Sequence, residues 1–306
     1  MKVVLAGGSG FLGQPLAARL VADGHSVVIL TRGAPSTAPG VRCAPWTPNG
    51  QIGEWAREVD GADAIINLAG AGIADKRWSA KRKRDLKNSR INSTRSLVAA
   101  VRAAAKKPST FIQGSGAGYY GTPDDLVLDE SFPPGSDFLA GLAVAWEAEA
   151  HPVTALGARL VIIRSGVVLA HDGGAFPQMA RPFKFFVGGR LGSGKQYFAW
   201  IHRDDWIAMI VWALKTPAVK GVLNGTAPEP VTNQQLTKAI GHALWRPSLF
   251  PVPGFALKVI VGEMAGPALL RGQRVVPQQA LKQGFKFSYP DIDSALAAVV
   301  RARKQA

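Results

Sequence analysis

Cysteine is almost absent from this chain of 306 residues, which carries only Cys43. One thiol excludes an internal disulfide and any thiolate-rich metal site, and it agrees with a reducing compartment. Cys43 itself reads as core filler rather than as a nucleophile. Long apolar runs are missing too: none reaches the roughly 18 residues of a membrane helix, because Lys258 and Glu263 interrupt the longest. The start, MKVVLAGG, is too short for the apolar centre of a signal peptide, so a cytoplasmic chain without a membrane partner is expected. The five histidines are isolated or sit in turn-like sequence, so no metal site is expected. Acidic residues are few: 21 Asp and Glu stand against 36 Lys and Arg, a net charge of +15 that calls for an anionic partner.

That partner is not expected to be a nucleic acid. Lys81, Arg82, Lys83 and Arg84 are consecutive in DKRWSAKRKRDLKNSR (75–90), and consecutive residues cover every side of a helix, as a solvated segment does. RNP patterns, zinc-finger spacing and aromatic interleaving are lacking. An anionic small molecule uses the same charge with fewer contacts.

KVVLAGG followed by FLGQPLAARLVADG reads as strand, tight turn and helix, the helix ending at Gly24. HSVVILTR, VRCAPW, ADAIINLAGAG and STFIQGSG read as the second to fifth strands, and ARLVIIRSGVVL as a sixth. Ser79 to Lys107 has the length and period of a crossover helix stopped by Pro108, and DFLAGLAVAWEAEA supplies another helix. This alternation predicts an α/β fold, a Rossmann-like doubly wound parallel sheet over residues 1–168 to which residues 200–225 return. From residue 169 the pattern breaks, and residues 169–306 read mainly as a smaller C-terminal substrate lobe. AHDGGAFPQMARPFKFFVGGRLGSGKQ has no sustained period and reads as a long loop-rich segment. DDWIAMIVWALKTP and NQQLTKAIGHALW read as helices, the first with Asp204 or Asp205 as its N-cap, and GVLNGT as a strand. The eight tryptophans read as core, Trp78 having a pocket-lining alternative.

GGSGFLG (7–13) offers Gly7, Gly10 and Gly13 around Phe11 and Leu12, between the first strand and the first helix. There, glycine lets the backbone approach a diphosphate, and the helix N-terminus meets its charge. A dinucleotide is therefore the expected ligand. An NAD site places an acidic residue at the end of the second strand to hold the ribose hydroxyls, whereas this chain has Thr31 and Arg32, and its next acid is Glu54. Arginine grips a 2′-phosphate bidentately, so NADP(H) is the expected cofactor. GGRLGSGKQ (188–196) nearly matches a P-loop, but Gln196 stands where Ser or Thr must bind magnesium, and no clear helix follows. It reads as a loop that contacts the cofactor or an anionic substrate.

Tyrosine is scarce, at four residues: Tyr119, Tyr120, Tyr197 and Tyr289. GSGAGYYG (114–121) places Ser115, Tyr119 and Tyr120 just after the fifth strand, at the sheet edge where such folds bind ligands. With NLAG (67–70) and WIHRDDW (200–206), the chain resembles the extended short-chain dehydrogenases/reductases, in which a serine after this strand and a downstream Tyr-x-x-x-Lys polarise a carbonyl. No Tyr-x-x-x-Lys exists here; Phe138 and Leu142 of DFLAGL stand at those places, and neither can donate a proton. Together with INLAGAGIADKRW, RSGVVL, NGTAPEPVTN and RVVPQQALKQGFKF, this departure is similar to an atypical branch. That branch is labelled NAD-dependent epimerase/dehydratase family, nucleoside-diphosphate-sugar epimerase-like, with a C-terminal domain of unknown function, here 247–299.

The resemblance implies cofactor contacts from Leu68, Ala69 and Gly70, and from Arg90 of NSRINSTR, which falls near the superfamily's structural asparagine and puts positive charge near the cofactor in place of the missing lysine. Ser115 lies five residues before Tyr120, one more than the usual spacing, so its match to the active-site serine is offset by one. Two functions follow. The first is an NADP(H)-dependent oxidoreductase or epimerase-like enzyme on an anionic small molecule, with Tyr119 or Tyr120 as proton donor. Ser115 then orients the substrate, and Arg90 or Lys195 steadies its charge. The second is a non-catalytic NADP(H)-binding sensor or scaffold whose site has lost its acid. The superfamily's tendency to dimerise leaves a homodimer open.

Overall fold

The structure, a computed structural model, describes residues 1–33, 39–123 and 125–305. Lys2–Ala6 forms β1, whose apolar residues are buried on both sides because helices cover both faces of the sheet. The glycine turn leads into α1 (Gly13–Ala22), which packs Leu16, Ala17 and Leu20 inward. β2 (Ser26–Thr31), β3 (Val41–Pro45) and β4 (Ala64–Asn67) follow. α2 (Ala80–Ala103) starts at Ser79, whose hydroxyl accepts the Arg82 amide. Next come β5 (Thr110–Gly116), β6 (Val127–Leu128), α3 (Phe138–Ala150) with Asp137 as its cap, α4 (Pro152–Ala155) and β7 (Arg159–Ser165).

The sixth predicted strand is in fact two. Gly166 is extended hard against the backbone of Ala199, where a Cβ would sit 2.8 Å from the carbonyl oxygen. There the chain leaves the sheet, and β8 (Val167–Leu169) pairs elsewhere. The segment expected as loop contains α5 (Phe176–Lys184), concealed because Pro177 and Pro182 look like breakers; Pro177 sits in the first turn, where its missing N–H is harmless. β9 (Tyr197–Phe198), β10 (Trp200–His202), α6 (Arg203–Lys215) and β11 (Gly221–Gly225) follow. The cap of α6 is His202, whose Nδ1 accepts the Asp204 amide, and neither aspartate fills that role. Asp205 is instead buried and accepts the amides of Ser288 and Tyr289, tying the C-terminal segment to α6. β12 (Val231–Thr232), α7 (Asn233–Leu244), α8 (Gly254–Val261), β13 (Arg274–Val275), α9 (Gln278–Lys282) and α10 (Ile292–Gln305) complete the chain.

The central sheet has seven strands in the order β11-β7-β5-β4-β1-β2-β3, all parallel. Connections run outward from β1 in both directions, so a crevice opens at the carboxyl ends of β1 and β4. Alternate residues of each strand feed two cores: Leu5, Ile29, Ile66 and Ile163 face α1 and α6, while Val4, Val28, Ile65 and Phe111 face α2 and α4. A third core around Phe176, Trp200, Leu236 and Leu296 belongs to the lobe of α5, α7 and α10. Two expectations about burial fail. Trp245 is 85% exposed rather than core, and Cys43 is only half-buried on an outer strand.

Candidate functional site

The glycine loop joins β1 to α1 directly beneath the crevice. Gly13 is required by packing: a Cβ there would lie 2.3 Å from the Gly7 oxygen and 2.5 Å from the Gly8 Cα. Gly10 differs, being exposed and meeting nothing but the Gly7 oxygen at 3.3 Å. No side chain caps the N-terminus of α1 and its first turn holds no acid, so its leading amides face the crevice for an anion. These two glycines should therefore separate stability from binding. Gly13→Ala is expected to cost about 1–3 kcal/mol in urea unfolding, by overpacking against backbone. Gly10→Ala should leave that midpoint in place and weaken cofactor binding about tenfold in calorimetry. Phe11 and Leu12 are half-buried, and Phe11 carries a lid that sequence reasoning missed: Gly173 and Gly174 pack on its ring, and Arg203 sits 5.6 Å from its centroid while paired to Asp172.

Thr31 is buried and its Oγ1 accepts the Gly33 amide; Arg32 is exposed just beyond β2 and pairs with no carboxylate among the described residues. Asn67 at the end of β4 accepts the Ala69 amide, which shapes the turn Leu68–Gly70 and leaves Gly70 exposed.

At the end of β5 the three predicted residues take different surroundings. Ser115 is buried and donates to Glu147 Oε1 at 2.6 Å. Glu147, from α3, is held by Arg164 of β7 through two bonds of 2.9 Å. Arg164 also donates to the Tyr120 hydroxyl at 3.1 Å, and Tyr120 donates to Asn224 at 2.7 Å. Burial pushes the Tyr120 phenol up to about 12, with Arg164 and Asn224 pulling partly the other way. Burial alone lowers the Arg164 guanidinium, but Glu147 more than reverses this and holds it above its ordinary value. Ser115 and Tyr120 are thus struts of a buried network, and that corrects the expectation that either offers an open hydroxyl. Tyr119 is different: half-buried, it carries the Arg164 guanidinium 3.2 Å from its ring centroid, and its hydroxyl meets no partner among the described residues.

Phe138 and Leu142 join Trp78, Leu86 and Met264 in an apolar cluster, so the places of the usual acid and base are filled by packing against the segment before α2, α2 itself and the C-terminal lobe. The cationic run at the start of α2 is only partly solvated. Arg82 turns inward to the Gly72 carbonyl and Asp75, and Lys83 pairs with Glu263. Trp78 is buried with its Nε1 on the Ile73 carbonyl. Arg90 lies buried under the β4 turn, donating to the carbonyls of Ala71 and Leu86. Lys195 is exposed on a loop whose carbonyls are spent on α7: Gly194 and Gln196 accept the amides of Gln234 and Asn233. The loop's own amides are engaged as well, Leu191, Gly192, Gly194 and Lys195 donating to Asn233, Val252, Leu191 and Ser193, so they form no phosphate cradle and the P-loop likeness ends there.

Residues 3–224 match the model of the NAD dependent epimerase/dehydratase family, and residues 252–299 match Domain of unknown function (DUF1731). The chain belongs to that epimerase/dehydratase family. It is 42% identical to the epimerase family protein SDR39U1 homolog, chloroplastic, of Arabidopsis thaliana, over 98% of this chain and 87% of that one. It is 39% identical to epimerase family protein YfhF of Bacillus subtilis (strain 168), with 99% of each chain covered. The crystal structure of human epimerase family protein SDR39U1 (isoform2) with NADPH superposes with a TM-score of 0.89 at 34% identity, over 98% of this chain and 99% of that one. Thermus thermophilus UDP-glucose 4-epimerase, solved with NAD, shares the fold at 16% identity and a TM-score of 0.79.

This epimerase-family chain therefore has the NAD(P)-binding fold its glycine loop announces. Among the described residues no helix is long and apolar enough to cross a membrane. The chloroplastic relative leaves the compartment of this chain unassigned. Sequence reasoning missed Glu147, Arg164, Asn224 and Glu130. The last is a half-buried carboxylate that accepts the amides of Asn224 and Gln279, and partial burial raises its pKa. Arg164 lies in the quoted RSGVVL, but nothing local shows that its charge turns inward.

Proposed function

We propose that this protein is an NADP(H)-dependent oxidoreductase or epimerase-like enzyme that acts on an anionic small molecule, with Tyr119 as the proton donor. The observation that carries this is the pairing of Tyr119 with Arg164 at the end of β5. A phenol whose hydroxyl has no partner among the described residues stands at the ligand-binding edge with a guanidinium on its face. The uncapped α1, the open side of Gly10 and the exposed Arg32, which pairs with no carboxylate among the described residues, fit a dinucleotide with a 2′-phosphate, and the NADPH-bound human relative supports that choice. NADP(H), when bound, supplies the two-electron redox step. The chain's own part is to bind, to orient and to move one proton at the Tyr119 Oη, while the buried Glu147 keeps Arg164 in place.

A screen of carbonyl and sugar substrates for NADPH oxidation tests this. Tyr119→Phe should cut kcat by about 100-fold or more with NADPH affinity unchanged, whereas Tyr120→Phe should chiefly lower stability. Equal turnover by wild type and Tyr119→Phe would remove Tyr119 from the chemistry. The second function, a non-catalytic NADP(H)-binding sensor or scaffold, draws on Phe138 and Leu142, whose apolar cluster fills the place of the usual acid and base. Homogeneous protein that binds NADPH yet oxidises it with no substrate in the screen would favour that function.

A further inference from the structure

We propose that the guanidinium of Arg90 is the receptor for a carboxylate of the substrate, beside the nicotinamide end of the cofactor site; this rests on the dinucleotide reading above. Arg90 is 8% exposed, and the charged group that acts on it is another cation, Arg82. Its Nη1 donates to the carbonyls of Ala71 at 3.0 Å and Leu86 at 3.1 Å. Its Nε and Nη2 meet no acceptor among the described residues. That leaves open the side edge of the guanidinium, the same edge with which Arg164 holds both oxygens of Glu147 at 2.9 Å.

Trp146 and Gly70 lie against the Arg90 group. The Trp146 ring lies 4.9 Å from its Cζ on one side, and a Cβ on Gly70 would come 3.1 Å from Cζ and 3.4 Å from Nε. The edge formed by Nε and Nη2 is the part of the group without an acceptor among the described residues, and a flat pair of oxygens fits it. Burial, with Arg82 adding to it, lowers the Arg90 pKa to about 10, so the group still carries its charge at neutral pH. Arg82 brings a second shortage of acceptors, its Nε being buried without a partner. A buried cation with no counter-ion is costly, and none stands beside Arg90 among the described residues.

The sheet order says where the anion comes from. A diphosphate over the turn from β1 to α1 and a 2′-phosphate at Arg32 beyond β2 place the cofactor's negative groups over β1 and β2. The nicotinamide end then points toward β4 and β5, where Arg90 and Tyr119 lie and where the cofactor has no anionic group. A carboxylate there belongs to the substrate, which is thereby held next to Tyr119.

The test follows the arginine Nε–H signals of the full-length protein by NMR, with and without saturating NADPH, during titration with acetate and, separately, inorganic phosphate. Arg90→Lys assigns the Arg90 signal and keeps the charge without the fork. The Arg90 signal should move saturably with acetate at millimolar concentration in the NADPH-saturated protein, and at least fivefold less with phosphate. Acetate affinity should fall about tenfold in Arg90→Lys with NADPH affinity kept within about twofold. Should Arg90→Lys not fold, Gly70→Ala, which presses a methyl group on the guanidinium, should weaken the acetate response in its place. A signal that moves with NADPH and then ignores acetate would make Arg90 a cofactor contact and overturn the proposal, as would a preference for phosphate or no response to either. If NADPH itself fails to bind, the dinucleotide reading falls alone, and acetate titration of the cofactor-free protein still decides Arg90.

Discussion

Glu147→Ala is expected to destabilise this protein by about 3–5 kcal/mol, because it strands a buried guanidinium without its carboxylate. Arg164 and Glu147 are both buried, and their two bonds of 2.9 Å are the centre of the network from Ser115 to Asn224. Ser115 would also lose its acceptor, and Arg164 would be free to leave the Tyr119 ring. Urea unfolding should show the loss as a lower midpoint at constant slope. The pair Glu147→Leu with Arg164→Met should recover much of the stability, since two apolar groups in place of a buried ion pair leave no uncompensated charge. That double variant should still fail in any Tyr119-dependent turnover. A Glu147→Ala midpoint equal to wild type would mean that the network is not formed in solution.

Arg32→Glu should lower NADPH affinity by about 100-fold while leaving NADH affinity equal or higher, measured by calorimetry on the same preparations. The variant removes a bidentate partner of the 2′-phosphate and puts a like charge in its place. Because Arg32 is exposed, the effect should shrink as salt rises. Parallel losses for both cofactors would show that the arginine does not discriminate between them. A loss of neither would leave the diphosphate loop as the only cofactor determinant.

The parts of the site that were legible in sequence are those built from neighbours in the chain. Gly7, Gly10 and Gly13 sit within one turn between a strand and a helix, and Arg32 follows its strand directly, so spacing alone places them. The strands of the central sheet were legible for the same reason: each is a short apolar run with a turn signal at its end. The misses have physical causes as well. Pro177 and Pro182 mimicked helix breakers in α5, and Gly166 hid the point at which a continuous apolar run changes sheets. Asp204 or Asp205, rather than His202, read as the cap of α6 because a histidine N-cap has no strong sequence signal.

The sequence by itself determined the parallel sheet, the glycine turn between β1 and α1 and the lack of a Tyr-x-x-x-Lys pair, since these follow from local periodicity, spacing and residue identity. The tertiary structure decided which hydroxyl and which cations remain available. Ser115 finds Glu147 32 residues away and Tyr120 finds Asn224 104 residues away, and both are consumed. The Tyr119 hydroxyl and one edge of Arg90 meet no partner among the described residues. Pairing across such distances depends on how helices dock on the sheet, and that docking is fixed by packing of the whole core rather than by any stretch of adjacent residues.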